Sequence, residues 1–448
     1  MKIIFLILFS IILQANQAIT LDEALLILKS DNLEIKSAKL DIKSARVAQD
    51  TVSGANWGKL EFIQDYARSN DAGNVFGFKL SSREANFGDF GFEDFLHPPA
   101  NTPLLSIEPD ALNYPDSRDY FQSKLKYEIP LFTGFKISSY TQIMKSMTKI
   151  KSLQKDAMIN EKVYELKKSF YDMALLQKSQ ELLNVILDNI QTLEDTTQSM
   201  IEVGYAKKVD LLEVKAKKGN IQRLITTMKS NQKLLYHYIS FLLDQKITNI
   251  ITPSIDVAMP NFSDEEILNY NLDIKQASNA LIIKKNMTTV SQSVYYPTVG
   301  AFGELSTADD SFLGDASDHK AYTVGAMLTW NIFNGGIDQA DIEKSRIEYL
   351  KTQNQVALAK SGIALKVQKI RTQIQTYNED IKSLTNELAL ADEIYKNYEG
   401  RYKEKLSSMS DVIIKQSSQI QKILELQQAH NKRNERIFAL EKIANGDL

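Results

Sequence analysis

The sequence predicts an exported, mixed α and β membrane chain in which a few short alternating strands are spliced into very long α-helices. Three observations predict it: two long stretches free of proline with apolar stripes, period-two segments ahead of a repeated glycine turn, and motifs that recur in the same order.

Proline is absent from Lys136 to Thr252 and again after Pro297, while five of the nine prolines lie between Pro98 and Pro115. Stripes such as Leu183, Ile186, Ile190, Leu193 and Met200 recur at three, four and seven residues, which places them on one helical face. At about 1.5 Å per residue, an arm of roughly 60 residues is about 90 Å long. Such helices are coiled-coil or tubular, because a compact globule has no room for them.

Several features occur twice. "IPLFTGF" at Ile129–Phe135 is matched by "WNIFNGG" at Trp330–Gly336, with Phe132 and Phe333 separated by 201 residues. Asp210 and Asp411 share that offset, Thr20 with Glu23 and Ser263 with Glu266 are paired capping boxes, and "NLEIKSA" at Asn32–Ala38 returns as "NLDIKQA" at Asn271–Ala277. An ordered set of this kind is a tandem duplication. Repeat 1 spans 19–246, a linker 247–262, and repeat 2 263–448, with long helices over 136–246 and 337–444. Because Asn32 to Asn271 is 239 residues, repeat 1 carries 38 more than repeat 2 between these landmarks. They fall at about 66–118, a phenylalanine-rich insertion.

Phe121, Ser123, Leu125, Tyr127 and Ile129 share one strand face against Gln122, Lys124, Lys126 and Glu128 on the other. Tyr322, Val324, Ala326, Leu328 and Trp330 repeat that parity 201 residues later. Lys59–Tyr66 and Thr298–Leu305 are the expected hairpin partners, the second hairpin covering 298–331. Four strands cannot close a barrel, which needs at least about 8, so other copies must complete the sheet.

Residues 1–18, with Lys2 ahead of an apolar run from Ile3 to Leu13, have the pattern of a signal peptide. No later run is long and apolar enough for a spanning helix, which leaves a soluble exported protein or a β-barrel. The formal charge of −3, without clustered cations, excludes a nucleic-acid binder, and the absence of cysteine excludes a lipid anchor on that residue. His97, His237, His319 and His430 are scattered, and no phosphate loop or nucleophile elbow occurs, so neither a metal, a cofactor nor an enzymatic site is expected. Asp309, Asp310, Asp315 and Asp318 read as a solvated hairpin tip, with cation binding as the alternative.

Through "TLDEAL" at Thr20–Leu25, the two PLF-type junctions, and Val203-Gly204 followed by Asp210, the chain resembles the TolC-like outer membrane efflux proteins. The resemblance implies a homotrimer whose four strands per protomer form a 12-stranded barrel continuous with a 12-helix periplasmic tunnel in a Gram-negative outer membrane. It implies a passive exit duct for efflux or type I secretion, meeting a periplasmic adaptor and an inner-membrane transporter of the RND, ABC or MFS type. Tyr402 and Asp210 fall where the family bonds neighbouring coiled coils at the gate, and Asp411 on its constriction ring. Ile414 and Ser407 replace a second ring acid and a gate arginine. From the residues alone, Asp210 and Asp411 equally read as helix-start caps. Adaptor docking falls on Val203, Gly204 and Tyr205 and on Lys405, Leu406 and Ser407, and the strand-to-helix junctions on Pro130, Phe132, Gly134, Phe333, Gly335 and Gly336. The alternative is an exported structural coiled coil without a pore.

Overall fold

The computed structural model describes residues 18–312, 314 and 317–445; the expected signal segment lies outside these apart from Ala18, as does Asp315. In chain order the elements are α1 (Leu21–Asp31), α2 (Leu33–Gly54), β1 (Lys59–Ser69), α3 (Ala72–Ser81), α4 (Phe92–Leu96), α5 (Asp110–Asn113), β2 (Arg118–Thr133), α6 (Lys136–Glu202) and α7 (Lys208–Leu243). The second half contributes α8 (Asp264–Tyr270), α9 (Leu272–Gln292), β3 (Thr298–Asp309), β4 (Lys320–Thr329), α10 (Ile337–Lys403) and α11 (Met409–Ala444). α6 and α10 are each 67 residues long, and α7 and α11 each 36. Among the described residues, no helix is long and apolar enough to cross a membrane.

The chain divides into two compact units. One draws on the chain up to Ala45, on Met147–Leu281 and on Thr352 onward; the other on Arg46–Ser146 and Ile282–Lys351. In the first, two equivalent cores form, one per repeat. Leu28, Met173 and Leu242 are fully buried in one, and Ile267, Ile374 and Ile443 occupy the matching places in the other. Each such side chain contributes about 1.5–3 kcal/mol by leaving water. A third cluster takes Leu183, Ile186, Ile190 and Leu193 from α6, with Met200 half-buried at its margin, together with Val214, Tyr395, Tyr402 and Val412. The α6 stripe is thus a continuous seam between helices.

The motif NLEIK/NLDIK joins helix ends. Asn32 is 3 % exposed, donates from its side-chain amide to the Leu242 carbonyl at 2.9 Å, and accepts the Ile35 N–H on Oδ1 at 3.0 Å. Asn271 repeats both bonds with Ile443 and Ile274, each at 3.1 Å. One side chain therefore satisfies an orphan N–H at the start of a helix and an orphan carbonyl at the end of another. The two capping boxes also form, with the Thr20 and Ser263 hydroxyls accepting from Glu23 and Glu266 N–H and the carboxylates reaching back.

In the second unit the strands form one antiparallel sheet in the order β1-β2-β3-β4. Leu60, Phe62 and Tyr66 lie opposite Tyr127, Leu125 and Phe121; Leu125 lies opposite Leu305, and Leu305 opposite Tyr322. One face is therefore apolar across all four strands, although Phe62, Leu305 and Tyr322 are well exposed in the single chain. The other face carries Glu61 opposite Lys126 and Lys126 opposite Glu304, and Lys124 pairs with Asp65 at 3.2 Å. The duplication fixes the register too: moving β1 numbers by 239 and β2 numbers by 201 turns the pair Lys59↔Glu128 into the observed Thr298↔Thr329.

The insertion between β1 and β2 folds against its own chain. Phe78 stacks on Tyr120 with centroids 4.2 Å apart, Phe76 meets Phe90 edge-on at 5.0 Å, and Arg83 donates to the Lys320 carbonyl at 2.6 Å. Phe87 and Leu105 remain exposed.

Replacing Asn271 with alanine leaves the Ile274 N–H and the Ile443 carbonyl unpaired in a buried place, a loss of about 1–3 kcal/mol. The melting temperature of the helical circular dichroism signal should fall clearly in Asn271→Ala, and hardly at all in the exposed control Asn286→Ala.

Candidate functional site

The two helical turns that end α6 and α10 are built alike. Gly204 has φ +80° and Lys405 φ +66°. The N–H of Gly204 donates to Ile201 at 3.0 Å and that of Tyr205 to Met200 at 2.7 Å; Lys405 and Leu406 make the same bonds to Tyr402 and Arg401 at 2.9 and 2.7 Å. This is the Schellman closure, which puts its C′ residue in the left-handed region. Glycine enters it freely and lysine at a cost of about 1 kcal/mol or more. The Lys405 ammonium sits 3.2 Å from the centroid of the Tyr205 ring, a cation–π contact that offsets this cost and ties one turn to the other. Val203, Tyr205 and Leu406 are each about two-thirds exposed, whereas Ser407 is half-buried.

Beyond the turns, the three residues expected at a gate have separate partners. Tyr402 is buried, and its hydroxyl meets Thr197 Oγ1 at 3.4 Å; the Thr197 hydroxyl itself donates to the Leu193 carbonyl at 2.7 Å. Burial pushes the Tyr402 phenol up, the bond to Thr197 opposes this, and the Asp210 charge adds to it. Asp210 does not bond Tyr402. Its carboxylate accepts the Lys207 N–H at 2.8 Å, at the start of α7 where unpaired amides favour an anion. Asp411 likewise closes the start of α11, accepting the Ser408 hydroxyl at 2.6 Å and its N–H at 3.2 Å, with the Ser407 hydroxyl at 3.4 Å. Both acids thus serve as the third helical residue of a capping arrangement and not as the cap itself. Ile414 is exposed.

Both strand-to-helix junctions turn on two successive residues of positive φ: Gly134 and Phe135 at +60° and +67°, Gly335 and Gly336 at +58° and +81°. β2 continues through Pro130 to Thr133, with a register shift between Pro130 and Phe132 that accommodates the proline; β4 ends at Thr329. Phe132, Phe135 and Tyr296 form a cluster of edge-on rings. Phe333 is 83 % exposed.

Residues 265–446 match the model of a family described as Outer membrane efflux protein. That match takes in nearly all of the second repeat. The chain is 20 % identical over 305 residues to Nodulation protein T of Rhizobium leguminosarum bv. viciae, a match covering 63 % of this chain and 62 % of that relative's length. Its fold is that of the CusC channel (TM-score 0.79, 14 % identity, 95 % of this chain and 91 % of the other). It is likewise that of VceC from Vibrio cholerae (0.76, 13 %, 95 % and 96 %) and of the CmeC channel of Campylobacter jejuni (0.70, 14 %, 97 % and 89 %).

The acidic hairpin is solvated at Asp310 and Asp318, which are exposed, but not at Asp309. Asp309 is 8 % exposed at the end of β3, and Glu84 from the insertion joins Asp309 and Asp310. Arg118 pairs with Glu84 and lies 3.8 Å from Asp310, so a guanidinium occupies the place where a cation would be held. His319 bonds the Ala308 carbonyl at 3.1 Å. Thr197 and Phe135 were not singled out in the sequence as contributors, and Asn32 and Asn271 stood out as repeat landmarks but not as caps. Only the asparagines carried a signal there, through their repeated motif.

The Ser408 hydroxyl, foremost, and the Ser408 N–H hold the Asp411 carboxyl below its usual 3.8. A lowered folded value means the cap contributes stability above pH 3.8, lost as pH falls through the folded value. The protection of the Lys405–Asp411 amides, measured relative to their intrinsic exchange at each pH, should fall on acidification below pH 4, while in Asp411→Asn it should already be low at pH 7 and change little with acid.

Proposed function

We propose that this protein is the passive outer membrane exit duct of an efflux or type I secretion system. Three copies assemble, their strands forming a 12-stranded barrel and their helices a 12-helix periplasmic tunnel. The observation that carries this reading is the sheet: one face apolar on all four strands, the other charged on β1, β2 and β3, and both edges without a partner among the described residues. A hydrocarbon medium accepts the first face, water the second, and only closure removes unpaired edges from the membrane. A structural coiled coil has no use for such a sheet.

The exposed knobs Val203, Tyr205 and Leu406 on the two Schellman turns offer a periplasmic adaptor a convex apolar surface, and the adaptor in turn joins the duct to an inner-membrane transporter. Tyr402 with Thr197 acts as the clasp between the two coiled coils. Asp210 and Asp411 keep the ends of α7 and α11 from fraying and place threefold rings of negative charge at the entrance, where screening is poor.

Purified protein in planar bilayers should show small conductance steps that grow several-fold in Tyr402→Ala combined with Asp210→Ala. Thr197→Val should give a smaller increase in the same direction. A protein that inserts into the bilayer yet conducts nothing in any of these variants would overturn the duct.

A further inference from the structure

The two repeats differ in their packing at the strand-to-helix junction. β2 runs through Thr133, held by β3, but the matching residues 330–334 after β4 form no strand. Gly134 is packed so closely that a Cβ there would lie 2.6 Å from the Ser293 carbonyl oxygen and 2.9 Å from Tyr296 Cβ, whereas Gly335 faces open space. Phe132 sits in a ring cluster with Tyr296; Phe333 and the repeat 1 counterpart of Tyr296, Trp57, are 83 % and 78 % exposed. At each of these positions the second junction lacks what β3 and the end of α9 supply to the first. The chain possesses those missing parts as β1 and the end of α2, at its own opposite edge.

We propose that β4 of one copy pairs with β1 of the next in the register that β2 makes with β3, and that Trp57 of the next copy closes a socket over Phe333. This rests on the reading that copies of the chain complete the barrel, and adds which residues meet. The two offsets that convert the first hairpin's register into the second's also convert the β2–β3 register into the missing one. Leu125↔Leu305 becomes Ala326↔Tyr66, Lys126↔Glu304 becomes Met327↔Asp65, and Ile129↔Ala301 becomes Trp330↔Phe62, the second residue of each new pair belonging to the next copy. The parity agrees: Ala326, Tyr66, Trp330 and Phe62 all lie on the apolar face, while Met327 and Asp65 lie on the other. Beyond Trp330 the shift seen between Pro130 and Phe132 recurs, so Phe132↔Val299 becomes Phe333↔Leu60 and residues 330–334 become strand. Gly335 then lies against Gly54 and Trp57 of the next copy, as Gly134 lies against Ser293 and Tyr296. Its lack of a side chain acquires a reason.

The chain has no cysteine, so paired cysteines report this contact directly. Opposed residues across antiparallel strands have Cα atoms about 4.5–5.5 Å apart, within disulfide reach, while neighbours two residues away are about 7–8 Å apart and strained. On oxidation, Tyr66→Cys with Ala326→Cys, or Asp65→Cys with Met327→Cys, should give a covalent ladder ending at the full oligomer on non-reducing gels. Ala326→Cys with Gln64→Cys or Arg68→Cys should crosslink several-fold less. Stronger crosslinking in a shifted pair would overturn the register while leaving the assembly in place, and a defined oligomer with no crosslink in any pair would overturn the interface. A monomer by sedimentation would instead remove the underlying reading. As a second measurement without cysteines, Trp57 emission in the Trp330→Phe protein should be blue-shifted in the assembled state and move to the red in Phe333→Ala; unchanged emission would overturn the socket.

Discussion

A backbone amide in hydrocarbon must have a partner, and in the proposed duct the structure is organised around that requirement. Helices meet it internally, whereas a four-stranded sheet with an apolar outer face leaves two rows of N–H and C=O groups unpaired. The alternation of side chains, the turn-bearing glycines and the bulge at Pro130 all serve strands that must emerge from such a medium and become helix within two or three residues. In the helical unit the same requirement is met by side chains. Asn32 and Asn271 each satisfy one group at the beginning of a helix and one at the end of another, so the helix ends can sit inside a core without water.

Much of this was legible in the residues because it obeys a period. Strand parity, the α6 stripe, the capping boxes and the place of the insertion follow from spacings of two, three to four, and a repeat length, each visible without coordinates. What resisted reading depends on contacts between distant segments that carry no periodic mark. Thr197 faces Tyr402 across 205 residues of chain, and nothing in "DTTQS" separates Thr197 from Thr196. Phe135 takes a positive φ that its residue type disfavours, because its ring is held between Phe132 and Tyr296. Asp210 was expected to bond across to a neighbouring coiled coil, whereas its carboxylate is engaged by its own helix start.

The repeats have also diverged where their tasks differ. Lys405 adopts the backbone of Gly204, and the contact with Tyr205 that compensates it makes the two turns unequal partners. Phe135 and Gly336 reverse the pattern at the other end, with the larger residue in repeat 1, where its ring has neighbours within the chain.

The equal lengths of the paired helices bear on how such a chain changes over generations. Loss or gain of one residue within α6 rotates everything beyond it by about 100° and displaces it by about 1.5 Å relative to its twin α10. The seam through Leu183, Ile186, Ile190 and Leu193 would then face away from its neighbours, and the two turns would no longer come level. Length variation is therefore confined to the segments outside this matched scaffold, chiefly the insertion between β1 and β2. New outer-surface character can accumulate there freely, while the helical framework admits only exchanges of one residue for another.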